Sequence, residues 1–202
     1  MNENRKEEII MATLKLASQN GLRAVSMNMI AESIGIKKPS LYNHFKSKEQ
    51  LVNEMYVFLR NKAMKNTKTS IDKTFFENKT ALEILNSLVE NYIRLCSDKN
   101  IEMFYKVIYS ERTISRVAAQ IMVCETQKMI LATKQVFEVL QNKNLLQFDD
   151  IDVCATSFAL TIHALMDYLA DASFSQNGIV HRNFEPISKF ILEFVNTHKY
   201  KE

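Results

Sequence analysis

From Ser40 to Asn177 this chain contains neither glycine nor proline. The two residues that most readily interrupt regular structure are confined to its ends: Gly21, Gly35 and Pro39 lie within nineteen residues of one another, and Gly178 and Pro186 bracket one late loop. A long uninterrupted stretch rich in Leu, Met, Ala, Lys and Glu predicts helix throughout. No strand-length run of β-branched residues bounded by turn signals occurs, so the fold class is all-α. Helices are expected over about 4–20, 26–34, 38–44, 47–64, 80–97, 101–109, 112–142, 150–173 and 185–199. In the first of these, Ile10, Leu14 and Ala17 share a face and Gly21 is placed as the C-terminal stop. Ser26 is a good N-cap for the second, and Pro39 sits in the first turn of the third, where a missing N–H costs little. Ser47 with Gln50 three residues later reads as a capping box for the fourth.

Charge is unevenly distributed. Residues 1–60 hold nine lysines and arginines against six acidic residues, and the rest of the chain holds seventeen of each, so the whole net charge of +3 lies in the first third. Basic excess confined to one segment points to a polyanionic partner. Cys96, Cys124 and Cys154 are odd in number, far apart and set in apolar stretches, and read as small buried hydrophobes. No stretch of about 18 uncharged apolar residues occurs, so no membrane span is expected. The charged start, Met1 to Glu8, lacks the apolar run and small-residue cleavage site of a secretory leader, and a cytoplasmic location is expected. There is no glycine-rich phosphate loop, Gly-x-Ser-x-Gly, His-Glu-x-x-His or paired-carboxylate signature, so no catalysis and no cofactor are expected.

The segment Leu22–Lys48, LRAVSMNMIAESIGIKKPSLYNHFKSK, is the most informative. Ile30, Ala31 and Ile34 give the second helix an apolar inner face, and small Ala31 lets the next helix cross close by. Gly35 then supplies a left-handed turn that is cheap only for glycine, and Ile36 plugs the turn into the core. Leu41 and Phe45, four apart, form the buried face of the third helix. The result is two short helices crossing through a tight turn, with Lys37, Lys38, Ser40, Tyr42, Asn43 and His44 projecting outward. These residue types suit DNA: lysine reaches guanine acceptors or phosphate, asparagine pairs with adenine, and Ser and Tyr donate to phosphate. Tyr42 and Lys48 are the candidates for phosphate, and Lys38, Ser40 and Asn43 for bases. His44 has two readings, a phosphate contact or a cap on its own helix. Ser26 and Asn28, at the start of the second helix, add an anion-favouring N-terminus.

The string Ile30-Ala31, Ser33-Ile34-Gly35-Ile36, Ser40-Leu41-Tyr42, His44-Phe45 and Ser47-Lys48-Glu49 resembles the TetR family of regulators, from about residue 8 to 52. One departure is Lys37, where the family usually has Ser or Thr as a helix cap. The resemblance implies an N-terminal three-helix DNA-binding domain with a helix-turn-helix (1–48). A larger helical ligand-binding and dimerisation domain (49–202) would follow.

Beyond residue 52 the reading is physical. Ile151–Ala172 is apolar over most of its surface, and Ile187, Phe190, Ile191, Phe194 and Val195 form one stripe. A helix apolar on more than one side needs partners on both, which a four-helix bundle from two chains would supply. Phe158, Leu165, Ile187, Phe190, Ile191 and Phe194 are the candidate dimer contacts, and closure of the chain's own core is the alternative. A ligand pocket is implied mainly by the resemblance. Its candidates are Tyr92, Met103, Phe104, Tyr109, Met122, Glu125, Met129, Phe137, His163 and Met166, and plain packed core is the alternative for each. His163 and Asp167 face the same way four residues apart and read as a structural hydrogen bond, with no third group to complete a metal site. The expected partners are a double-stranded DNA operator, a second copy of the chain and a small, apolar effector. The expected function is a ligand-responsive repressor. The alternative is a DNA-bound structural or cell-division partner on the same scaffold, without a small-molecule switch.

Overall fold

The computed structural model describes residues 3–67, 71, 73–177 and 184–200. Gly178, read as one bracket of the late loop, lies outside the described residues. Among the described residues the chain forms α1 (Glu3–Asn20), α2 (Met27–Ser33), α3 (Lys38–His44), α4 (Lys48–Thr67), α5 (Ala81–Cys96), α6 (Lys99–Glu111), α7 (Arg116–Asn142), α8 (Ile151–Asn177) and α9 (Glu185–Thr197). A single 3-10 turn, Lys73–Phe76, is the one helical element not anticipated. Extended pairing among these residues is limited to an isolated bridge between Leu146 and Lys199, so the all-α class holds.

The chain divides into two compact units. The first comprises Met1–Thr69 and Ile93–Cys124, and the second Ser70–Tyr92 and Glu125–Glu202. The first unit continues well past residue 48, because the outer helices complete its core. Ile10, Leu14 and Ala17 of α1, Ile30 and Ala31 of α2, and Leu41 with Phe45 bury together with Leu51, Met55 and Leu59 of α4 and Ile101, Phe104 and Ile108 of α6. Three short helices enclose little apolar surface alone, so the added faces of α4 and α6 supply much of the burial that holds them. Cross-element charges stitch the surface: Lys6 Nζ donates to Glu54 Oε2 at 2.9 Å and Lys62 Nζ to Glu7 Oε1 at 2.5 Å.

The second unit is built on aromatic packing. Phe137 of α7 stacks on Phe148 at 4.6 Å between centroids and meets Phe158 of α8 edge-on at 5.5 Å. Phe194 of α9 lies 4.9 Å from Phe158 and 4.2 Å from the His198 ring. His198 Nδ1 lies 2.8 Å from the Phe194 carbonyl oxygen, which only accepts, so Nδ1 carries the proton. Nε2 faces Cys154 Sγ at 3.7 Å. The three cysteines are partly exposed and outside any disulfide, where the sequence suggested burial.

The expectation that no stretch is apolar enough to span a bilayer meets one exception. Ile151–Ala172 of α8 is long and apolar enough by length and composition, at a mean hydropathy of 1.4. Its Ala155, Phe158, Ala159 and Ile162 are buried within the chain. Its opposite side exposes Val153, Leu160 and Tyr168.

Candidate nucleic-acid interface

The turn between α2 and α3 forms as its residues dictate. Gly35 takes φ +66°. The Ile36 N–H reaches back to Ala31 O at 3.0 Å and the Gly35 N–H to Glu32 O at 3.1 Å, the paired bonds of a glycine-terminated helix. Ile34 and Ile36 pack partly buried against the core. α2 is capped as expected, the Ser26 hydroxyl accepting from Met29 N at 3.2 Å. At α3 the departure at Lys37 is real: it provides no side-chain cap, and Pro39 in the first turn starts the helix instead. The box at α4 is shifted by one residue. Gln50 N donates to Ser47 Oγ at 3.1 Å, but the Gln50 side chain accepts from Lys46 N at 2.7 Å.

Leu41 and Phe45 are fully buried, and this rotates α3 so that Lys37, Lys38, Ser40, Tyr42 and Asn43 are exposed on the other side. Lys38 Nζ hovers 6.0 Å from the Tyr42 ring centroid, a cation–π arrangement that keeps charge and hydroxyl together. Lys46 Nζ donates to Tyr42 O at 3.2 Å, adding a cation at the C-terminal end of α3. Ser26 is exposed at the head of α2. Asn28 is exposed too, its Nδ2 donating to Glu32 Oε1 at 2.6 Å. His44 is half-buried, and its Nδ1 is buried with no hydrogen-bond partner, so the imidazole does not cap α3 through that atom. A free carboxylate at the start of α4 is stabilised in place: Glu49 sits below its usual carboxylate range because its own backbone N–H and the Ser47 hydroxyl donate to it.

Lys48, a candidate for phosphate, is turned toward its own chain. Its ammonium points inward, donating to Leu22 O at 2.5 Å and Arg23 O at 3.4 Å in the turn between α1 and α2. Burial pushes its pKa below the ordinary lysine value, against the pull of the Glu111 and Glu49 carboxylates. Sequence reasoning missed these partners because two are backbone carbonyls and the third lies on a distant helix.

The pocket candidates fall in both units. Met103, Phe104, Tyr109 and Met122 are in the first, where Phe104 is fully buried and stacks on Tyr56 at 6.0 Å. Tyr92, Glu125, Met129, Phe137, His163 and Met166 are in the second. There the Tyr92 and His163 rings meet at 6.4 Å, and His163 Nδ1 lies 4.0 Å from Asp167 Oδ2, beyond hydrogen-bond distance. Glu125 is almost wholly buried, while Phe137 is enclosed by the aromatic cluster described above. Of the dimer candidates, Phe158, Ile187 and Ile191 are at most 2% exposed and close the chain's own core. Leu165, Phe190 and Phe194 are partly buried. Among the described residues, the large apolar side chains these helices leave exposed are Val153, Leu160 and Tyr168 of α8 and Leu192 of α9.

The segment that carries these residues is similar to known proteins. The family model of bacterial regulatory proteins of the tetR family matches residues 9–55. Over 52 residues the chain is 42% identical to the transcriptional repressor KstR2 of Mycolicibacterium smegmatis, covering 26% of this chain and 25% of that protein. Over 97 residues it is 35% identical to IcaR of Staphylococcus aureus, a negative regulator of the icaADBC biofilm operon, covering 45% of this chain and 50% of IcaR. The match thus spans between a quarter and a half of these relatives' length. Likeness of fold extends over the whole chain. The flavonoid-responsive regulator FrrA superposes with a TM-score of 0.76 at 20% identity over all of both chains. Salmonella enterica GusR superposes with a TM-score of 0.72 at 18% identity over 97% of this chain and 98% of GusR.

Proposed function

We propose that this chain, whose residues 9–55 match the family model of bacterial regulatory proteins of the tetR family, is a ligand-responsive transcriptional repressor of that family. It would bind a near-palindromic operator as a homodimer, in the cytoplasm, and release it when a small, apolar effector binds. The observation that carries this reading is the rotation of α3. With Leu41 and Phe45 locked in the core, the exposed side offers Lys37, Lys38, Ser40, Tyr42 and Asn43 together, the mixture of cation, hydroxyl and amide that DNA recognition uses. The repressor sign follows KstR2 and IcaR, both named as repressors or negative regulators.

Dimerisation is supported by the uncovered side of α8 and by Leu192 of α9. Val153, Leu160 and Tyr168 recur at helical spacing on one side, and a second copy would bury them. A dimer also answers a geometric need, since one short recognition helix contacts few base pairs and twofold-related helices would reach half-sites roughly 34–36 Å apart or a little more. Effector response is supported by the flavonoid-responsive character of FrrA and by Tyr92, Met129, His163 and Met166 of the second unit. Such adaptable and aromatic side chains suit an apolar ligand. The effector must bind the DNA-released state better than the DNA-bound one.

The experiment is selection of duplexes from a random-sequence pool by the full chain. A near-palindromic consensus is expected. Recovery of sequences without twofold symmetry would contradict the dimeric repressor.

A further inference from the structure

We infer that Glu111 withholds Lys48 from DNA: the carboxylate at the end of α6 and the ammonium at the start of α4 grip the same peptide group in the turn between α1 and α2. This inference rests on the DNA-binding reading above. The shared group is the peptide joining Leu22 and Arg23. Its N–H donates to Glu111 Oε1 at 3.1 Å, and its C=O accepts from Lys48 Nζ at 2.5 Å. A negative charge therefore sits at the positive end of the peptide dipole and a positive charge at its negative end, so each bond polarises the group in the sense that strengthens the other.

Glu111 is only 8% exposed, and a buried carboxylate must be compensated by donors or cations. It lies directly against the turn, 3.8 Å from where a Cβ on Gly21 would stand, and Gly21 holds φ +78°. Its field reaches Lys48, whose pKa it raises against the effect of burial. Carrying Lys48 out to a phosphate would leave the Leu22 carbonyl with only the longer bond from the Val25 N–H, at 3.3 Å, and would take from the Glu111 carboxylate a cation that its field favours. The lysine expected at the phosphate backbone is thus retained inside the reading head for as long as the end of α6 stays in place. Glu111 is a positioning residue, acting on DNA through Lys48.

The test measures binding of a short fluorescent mixed-sequence duplex across a range of salt concentrations, for the full chain and for Glu111→Gln, Lys48→Met and the double variant. Glutamine keeps an oxygen for the Arg23 N–H but removes the charge. Wild type and Lys48→Met are expected to share one slope of log affinity against log salt. Glu111→Gln should steepen it by about 0.9, the increment of one added phosphate contact, and the double variant should return to the wild-type slope. Unfolding is measured alongside, because a purely structural Glu111 would lower stability without moving the slope. An unchanged slope in Glu111→Gln overturns the inference, as does a steepening that persists in the double variant. A shallower slope in Lys48→Met alone also overturns it, and that variant decides the matter if Glu111→Gln does not fold. Failure of the wild type to bind the duplex at low salt would overturn the DNA-binding reading itself, and the inference with it.

Discussion

α3 and α8 bury one side in the same way and treat the other side oppositely. α3 sets Leu41 into the core, and its exposed residues are Lys38, Pro39, Ser40, Tyr42 and Asn43. α8 sets Ala155, Phe158, Ala159 and Ile162 into the core and still exposes Val153, Leu160 and Tyr168. A helix whose second side is polar is complete in water, and its polar side is available to a charged partner. A helix whose second side is apolar is incomplete, and another apolar surface is its natural partner. The difference separates the proposed nucleic-acid surface from the proposed self-association surface without reference to any relative.

The contrast yields predictions of decreasing size. Leu41→Ala cuts into the shared core of the first unit and should lower unfolding free energy by about 2–5 kcal/mol in a denaturant titration, abolishing DNA binding with it. Truncation of the exposed α3 residues should leave stability within about 0.5 kcal/mol of wild type. On α8 the asymmetry reverses. Leu160→Glu with Tyr168→Glu should leave each chain folded but convert a dimer into a species of one 23.4 kDa chain by light scattering, since burying unpaired carboxylates costs several kcal/mol. Retention of the dimer in that variant would move the association surface elsewhere. The smallest effect is at the turn. Gly35→Ala meets nothing within 4 Å but must hold φ +66°, so it should cost about 1–2 kcal/mol, read as a shift in thermal midpoint. A neutral outcome would mean that the turn between α2 and α3 adopts a different backbone.

The head was legible in the sequence because its information is local. Gly35, Ile36, Leu41 and Phe45 fix turn, plug and buried face within a dozen residues, and α3 falls at Lys38–His44 as expected. Lys48 was not legible, since its inward turn depends on the Leu22 and Arg23 carbonyls and on Glu111, on elements that meet only in the folded chain. Periodicity also marked α8 and α9 as apolar on more than one side without telling which side their own chain would cover. Phe158, Ile187 and Ile191 were therefore assigned to an interface between chains, and they close the core within one. The turn Lys73–Phe76 left no periodic signal because four residues make barely one turn.

The most direct test of the central claim is the affinity of Lys38→Ala/Tyr42→Ala for a duplex selected by the wild-type chain, measured alongside thermal unfolding. Both residues are exposed, and their ring and ammonium face each other 6.0 Å apart. The account predicts binding weaker by roughly tenfold or more, the loss of about 1.4 kcal/mol or above, with an unchanged unfolding midpoint. Undiminished affinity in a folded variant would contradict it.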